Sequence, residues 1–372
     1  MYSFEHPLSQ SERFREAVVI GTSALFAVNL MLGVQEYRSE HTELAAYNSD
    51  QAGNCPIPSS QSVKDVSQLL EEPPRLFTIE DVLIDPLERE ETVAAEYGLH
   101  LVSQDLRERA NSLHIDELTA TESLTLEEEI LLSQDMGAAH GLIVSVPEED
   151  NAELGYKALH IESLNAETKK ALRVTLGGFI TTLAHKPVEL VQYYGVTDVK
   201  LVMPTVDNAA AYFTPETPQA VYLGPYSWND TIIHELAHAK DFRRCEGKMG
   251  ADSLFVKDTP REHYIGLEAY HSALAQSPEK QNDTSDPRSW INIAQNAKNE
   301  FASPYGSTNP AEDIATVSSR LLQRCQLQIA YVNRLGESAV LSNKLLLEAA
   351  RMYQEKPGLA QYLIRNNNKC PT

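Results

Sequence analysis

Positive charge is scarce in this chain. Its 372 residues carry 31 Lys and Arg against 53 Asp and Glu, a formal net charge of −22 at pH 7. A nucleic-acid partner needs a basic face, so no nucleic-acid partner is expected. An electrostatic hold on anionic lipid is disfavoured for the same reason. Cysteine is scarce too. Cys55, Cys245, Cys325 and Cys370 are the four, and none has the C-x-x-C spacing of a thiolate metal site. Long apolar runs are rare, with one exception at residues 17–34 (AVVIGTSALFAVNLMLGV). This uncharged run is close to the minimum for a membrane helix and longer than a signal-peptide core of about 7–15 residues. It predicts a membrane segment, preferred as a retained anchor over a cleaved signal. Arg13 and Arg15 precede it and Arg38 follows. That weak positive-inside bias predicts a membrane-anchored or secreted chain with its bulk extracytoplasmic.

What the chain does have is one concentrated motif, His234-Glu235-Leu236-Ala237-His238. Residues four apart share a helix face, with Cβ atoms about 5–6 Å apart. His234 and His238 can therefore reach one metal at Zn–N distances of about 2.0–2.1 Å. Glu235 is rotated about 100° from His234. It faces the open coordination position, where a general base is needed. Ile232, Ile233, Leu236, Ala237 and Ala239 make the flanks apolar, as a buried helix requires. Ser227 or Asp230 can cap that helix at its start.

The remaining chain sorts by pattern. Residues 1–16 form a tail and 17–34 the membrane segment. Residues 35–75, rich in Ser, Asn, Gln and Pro, read as a polar linker. Residues 76–165 read as a mixed α/β region without legible chemistry, with helices near 87–112 and 123–136 and a strand near 142–146. From 166 onward the order is a long helix to 186, strands at 200–203, 210–213 and 220–223, and the motif helix at about 227–244. A polar loop spans 276–289, and a helix follows from 290. The strand near 221–223 is a candidate edge for an extended peptide.

A catalytic zinc needs three protein ligands and one open position. In the metzincin arrangement a Gly and a third His would stand at 241 and 244. The chain has Asp241 and Arg244 there, which excludes it. Glu262, Glu268, Glu300 and Glu312 are the downstream acidic candidates. Glu312 is the best placed, in the first turn of a helix that Asn309 caps and Pro310 opens, with Ile314, Ala315 and Val317 continuing it into a core.

Taken together, HELAH, Tyr305, Pro310, Glu312 and Ala315 resemble the gluzincin metallopeptidases of the anthrax lethal factor type. That group includes Pro-Pro endopeptidases and zinc-binding metallopeptidases of bacteria. The resemblance covers about residues 220–320. It implies Glu312 as the third Zn²⁺ ligand and Tyr305, seven residues earlier, as the group that stabilises the oxyanion or donates a proton. It also implies an endopeptidase. Thr316 departs from the pattern, because the family has an acid after the Ala. Asp313 or Asp241 is then the candidate for orienting a ligand imidazole.

The expected fold is α+β, a zincin-like catalytic domain over residues 166–372 with a small sheet, an active-site helix and a mainly helical C-terminal half. The expected function is zinc-dependent hydrolysis of a peptide or protein substrate, with Glu235 and Tyr305 catalytic. Two other readings fit the same motif. One is an inactive, membrane-anchored zinc-binding interaction protein. The other is a structural zinc site closed by His263 or His271. If the two ligand-bearing helices meet at one metal, a Cys245–Cys325 bridge is also expected.

Overall fold

The structure is a computed structural model. It describes residues 55–71, 85–113, 124–205, 210–215, 219–227, 231–252, 255, 259–297, 300–322 and 339–365. The chain divides into two compact units, Met1–Gln51 with Leu267–Ile293, and Ala52–Gly266 with Ala294–Thr372. In chain order the elements are α1 (Ser60–Glu71), α2 (Pro86–Glu96), α3 (Gln104–Asn111), α4 (Leu126–Ala139), β1 (Ile143–Ser145), β2 (Tyr156–Lys157), α5 (Ala166–Ala184) and α6 (Val188–Tyr194). Then come β3 (Asp198–Leu201), β4 (Met203–Pro204), β5 (Ala211–Thr214), β6 (Ala220–Leu223) and α7 (Thr231–Arg244). The last are α8 (Leu267–Leu274), α9 (Pro278–Gln281), α10 (Trp290–Ala297), α11 (Pro310–Leu322), α12 (Ala339–Glu355) and α13 (Pro357–Arg365).

Helix starts follow local chemistry. Asp85 caps α2 ahead of Pro86, Asn165 caps α5, and Thr125 with Glu128 forms a capping box on α4. The helix expected over 87–112 is broken into α2 and α3, because the chain turns at Gly98 with φ +69°, a conformation that glycine adopts freely. Residues 60–71, expected within a linker, instead form α1 and bury Val66. The polar loop expected over 276–289 contains the short α9. In the first unit, Tyr270 packs edge-on against His271 and Trp290, with ring centroids 5.6 and 5.7 Å away.

The core of the second unit is built around α5. Leu172, Leu176, Ile180 and Leu183 recur at helical spacing and are fully buried. The four-stranded sheet has the order β1-β3-β6-β5. β1, β3 and β6 are parallel, and β5 runs antiparallel along the edge. Val199, Leu201, Val221 and Leu223 join the main core, whereas Tyr222 and Ala220 pack with Tyr156 and Val202 in a separate cluster.

Three expectations are corrected. The chain is not an α+β mixture of the kind anticipated, since 60% of the described residues are helical and 8% lie in strands. The short apolar runs near 200–223 do form strands, but each spans two to four residues. Among the described residues no helix is long and apolar enough to cross a membrane, and residues 17–34 lie outside them. The expected membrane anchor and extracytoplasmic placement therefore have no support in the fold. Finally, β6 is not an edge strand, because β3 and β5 flank it, and the edges of this sheet are β1 and β5.

One buried group makes the fold acid-sensitive. His140 follows α4 and is 1% exposed, and its Nε2 donates to the Leu183 carbonyl at 3.0 Å. Burial pushes its pKa from 6.5 down to about 4, against that hydrogen bond and the charge of Glu189. Between those values the unfolded chain binds a proton that the folded chain refuses, so stability falls as pH falls from 6.5 toward 4. At 1.36 kcal/mol per pH unit the loss reaches about 3 kcal/mol. Urea midpoints at pH 7 and pH 4.5 check this, and His140→Gln should flatten the difference.

Candidate metal centre

The motif helix α7 packs against β5, β6, α6 and α11. Ile232, Ile233, Leu236, Ala237 and Ala239 are buried and hold it there. Ser227 does not cap this helix. Its hydroxyl donates to the Ala210 and Gly224 carbonyls at 2.9 Å each, and Asp230 lies outside the described residues. The loop into α7 is strained at Tyr226, whose φ is +78°. Thr175 accepts the Ser227 N–H beside it at 3.1 Å and donates to the Gly224 carbonyl.

The second helix of the centre is α11, which also starts as its sequence suggests. The Asn309 Oδ1 accepts the N–H groups of Ala311 and Glu312 at 2.9 and 3.1 Å. Glu312 thereby sits in the first turn, aimed at α7. Its Oε2 lies 2.8 Å from His234 Nε2 and 3.3 Å from His238 Nε2. The two Nε2 atoms are 3.1 Å apart. Tyr305 opens a short 3-10 turn just before α11, and its ring centroid is 5.8 Å from that of His234.

The electrostatics favour a cation at this point. Burial alone would make His238 resist a proton, but the neighbouring Glu312 carboxylate, with Glu235 and Asp241, outweighs it and lifts the imidazole to about 9. Burial would likewise raise Glu312, but His238 and His234 hold it far below the carboxylate range. Glu235 is 6% exposed, and burial raises its pKa despite both imidazoles and the Phe213 N–H that it accepts.

These residues fit a zinc ion. Tetrahedral coordination at about 2.0–2.1 Å separates ligand atoms by about 3.3 Å, and the three atoms here already stand 2.8–3.3 Å apart. Among the described residues no fourth His, Cys, Asp or Glu joins the group. Glu300 instead faces His263 Nδ1 at 2.7 Å, and His271 packs against Tyr270 in the other unit.

Neither candidate for orienting an imidazole hydrogen-bonds one, although the charge of Asp241 acts on His238. The Asp313 Oδ2 accepts from the Tyr264 hydroxyl at 2.9 Å and Lys344 at 2.6 Å. Asp241 accepts the Gly250 N–H at 2.6 Å and faces Arg244 at 3.4 Å. Thr316 packs on Gly306, next to Tyr305. The Phe213 N–H at Glu235 had no sequence signal, because a backbone donor has no residue signature. Lys344 had one: a lysine inside an apolar helix needs a buried partner.

The bond at Cys245 also differs from expectation. Cys245 pairs with Cys55, 190 residues earlier, and Cys325 lies outside the described residues.

No family model matches the chain, and no curated protein does. Among solved structures it is similar to a candidate zinc-binding metallo-peptidase from Bacteroides caccae. The identity is 16%, the match covers 66% of this chain and 92% of that one, and the TM-score is 0.33.

Proposed function

We propose that this chain is a zinc-dependent peptidase, and by its gluzincin resemblance an endopeptidase. The observation that carries this reading is the convergence of His234 Nε2, His238 Nε2 and Glu312 Oε2 from two helices, beside a buried Glu235. His234, His238 and Glu312 would hold the ion. When bound, zinc supplies Lewis-acid chemistry that polarises a scissile carbonyl and acidifies water.

The chain's own groups do the rest. Glu235 takes the proton of the attacking water and passes it to the leaving amine. Its raised pKa suits a group that must both accept and release a proton. The Tyr305 hydroxyl donates to the developing oxyanion. A peptide is the substrate class that the surroundings favour. β5 is a sheet edge packed on α7, and an extended peptide can add to such an edge as a further strand.

The test is zinc content and cleavage measured together. Wild type should bind one zinc and cut members of a broad peptide library. Glu312→Ala should weaken zinc binding more than about 100-fold, since loss even of an outer partner of a ligand costs 10–100-fold. Undiminished zinc affinity in Glu312→Ala, or no cleavage by zinc-loaded wild type, would overturn the reading.

A further inference from the structure

α12 contributes no ligand, yet it contains three buried charged side chains on one stripe. Lys344, Glu348 and Arg351 are spaced by four and three residues, and their side chains are only 2%, 2% and 3% exposed. Two are matched by a charge on α7 or α11, and the third by one in the segment that follows α7. Lys344 Nζ donates to Asp313 Oδ2 at 2.6 Å, and Asp313 adjoins Glu312 on α11. Glu348 Oε2 accepts from Arg244 at 2.8 Å, at the C-terminal end of α7. Arg351 pairs with Asp252, which also lies 3.9 Å from Arg244.

A link between the two helices completes the arrangement. Asp241 of α7 accepts the Gly250 N–H, and Gly250 lies directly on α11. A Cβ at Gly250 would stand 2.9 Å from the Ala311 nitrogen, and the residue's φ of +70° excludes most side chains in any case.

Physical chemistry gives these charges no advantage in stability alone. Buried ion pairs replaced by apolar groups of similar volume are often neutral or more stable, whereas one partner left alone is costly. What such pairs can fix is register, because the partners of each charge lie within one buried network. Arg244 faces Asp241, Asp252 and Glu348, Arg351 faces Asp252 and Glu348, and Lys344 donates to Asp313 and to the Glu300 carbonyl.

Resting on the zinc-site reading above, we propose that α12 is a positioning strut for that site. Lys344 sets the register of α11 through Asp313, and Glu348 sets that of α7 through Arg244. The helix thereby fixes the spacing between Glu312 and the two imidazoles. Lys344, Asp313, Glu348 and Arg244 are positioning residues, since none of them is among the three that converge on the site.

The experiment is a zinc titration of the full chain against a chromophoric chelator, with thermal unfolding of the same samples. Lys344→Met should bind zinc 10- to 100-fold more weakly, the range for loss of an outer partner of a metal ligand. Lys344→Arg should restore wild-type affinity. Lys344→Met with Asp313→Leu removes both charges and leaves none alone, so it stays testable if the single variant does not fold. This pair strands the Tyr264 hydroxyl and the Glu300 carbonyl but no charge, so it should melt above Lys344→Met and still bind zinc at least 10-fold more weakly than wild type. A merely structural pair predicts that melting temperature and zinc affinity recover together, and that result would overturn the strut. Wild type that binds no zinc at all would overturn the site reading, and the strut with it.

Discussion

Glu235→Gln is expected to lower peptide turnover by about 10²–10⁴-fold, the usual contribution of a general base, while zinc stays bound. The substitution keeps the shape of the side chain and an oxygen that can still accept the Phe213 N–H. It removes only the capacity to take a proton. Glu235 is not one of the three converging groups, so the ion should be held as before. The comparison is therefore made at equal zinc content, with kcat/KM measured on a library peptide that wild type cuts. His234→Ala provides the contrast, because it should lose zinc and activity together. A Glu235→Gln enzyme that turns over like wild type would remove the carboxylate from the chemistry.

The convergence of His234, His238 and Glu312 was more legible in the sequence than the fold around it. HELAH is a local pattern, and a helix alone brings its two imidazoles together. Glu312 was legible because its neighbours specify a helix start: Asn309 accepts the first N–H groups and Pro310 opens the helix. The sheet was misread at the level of pairing. Both β5 and β6 have strand-like runs, and the sequence contains nothing to say which of them meets β3. That choice is made by parallel pairing across a long separation. The helix content was underestimated where polar residues hide the period. In α1, Val63, Val66 and Leu69 recur at helical spacing within a Ser- and Gln-rich stretch, and only their packing in the core reveals the face. The stripe on α12 was visible as charge at positions 344, 348 and 351 in a helix of Leu and Ala, but its partners lie on other elements. The disulfide was a matter of pairing too, since four cysteines allow three connectivities and spacing does not choose among them.

Cys55→Ala is expected to cost about 3–5 kcal/mol of stability. The bond to Cys245 closes a loop across 190 residues of sequence. Chain entropy gives about 5 kcal/mol for a loop of that size, and measured losses of native disulfides run from about 2 to 5. Position adds to the argument. Cys245 is fully buried, follows the last residue of α7, and lies 3.6 Å from Asp241. Cys55 precedes α1, which packs on α12 and α13. The bond therefore ties the C-terminal end of the motif helix to an element that rests on the proposed strut. Cys55 is the better residue to replace, because it is half-buried and its removal leaves the Asp241 neighbourhood filled. Urea midpoints of wild type, of wild type reduced by a dithiol, and of Cys55→Ala decide the matter. The last two should fall together and by the same amount. Zinc in thousand-fold excess over its Kd should then restore about 4 kcal/mol to each, because an ion held only by the folded chain pulls the equilibrium toward it. A reduced wild type as stable as the oxidised one would show that the bond constrains nothing. Loss of stability that zinc does not offset would place the damage at the metal centre itself.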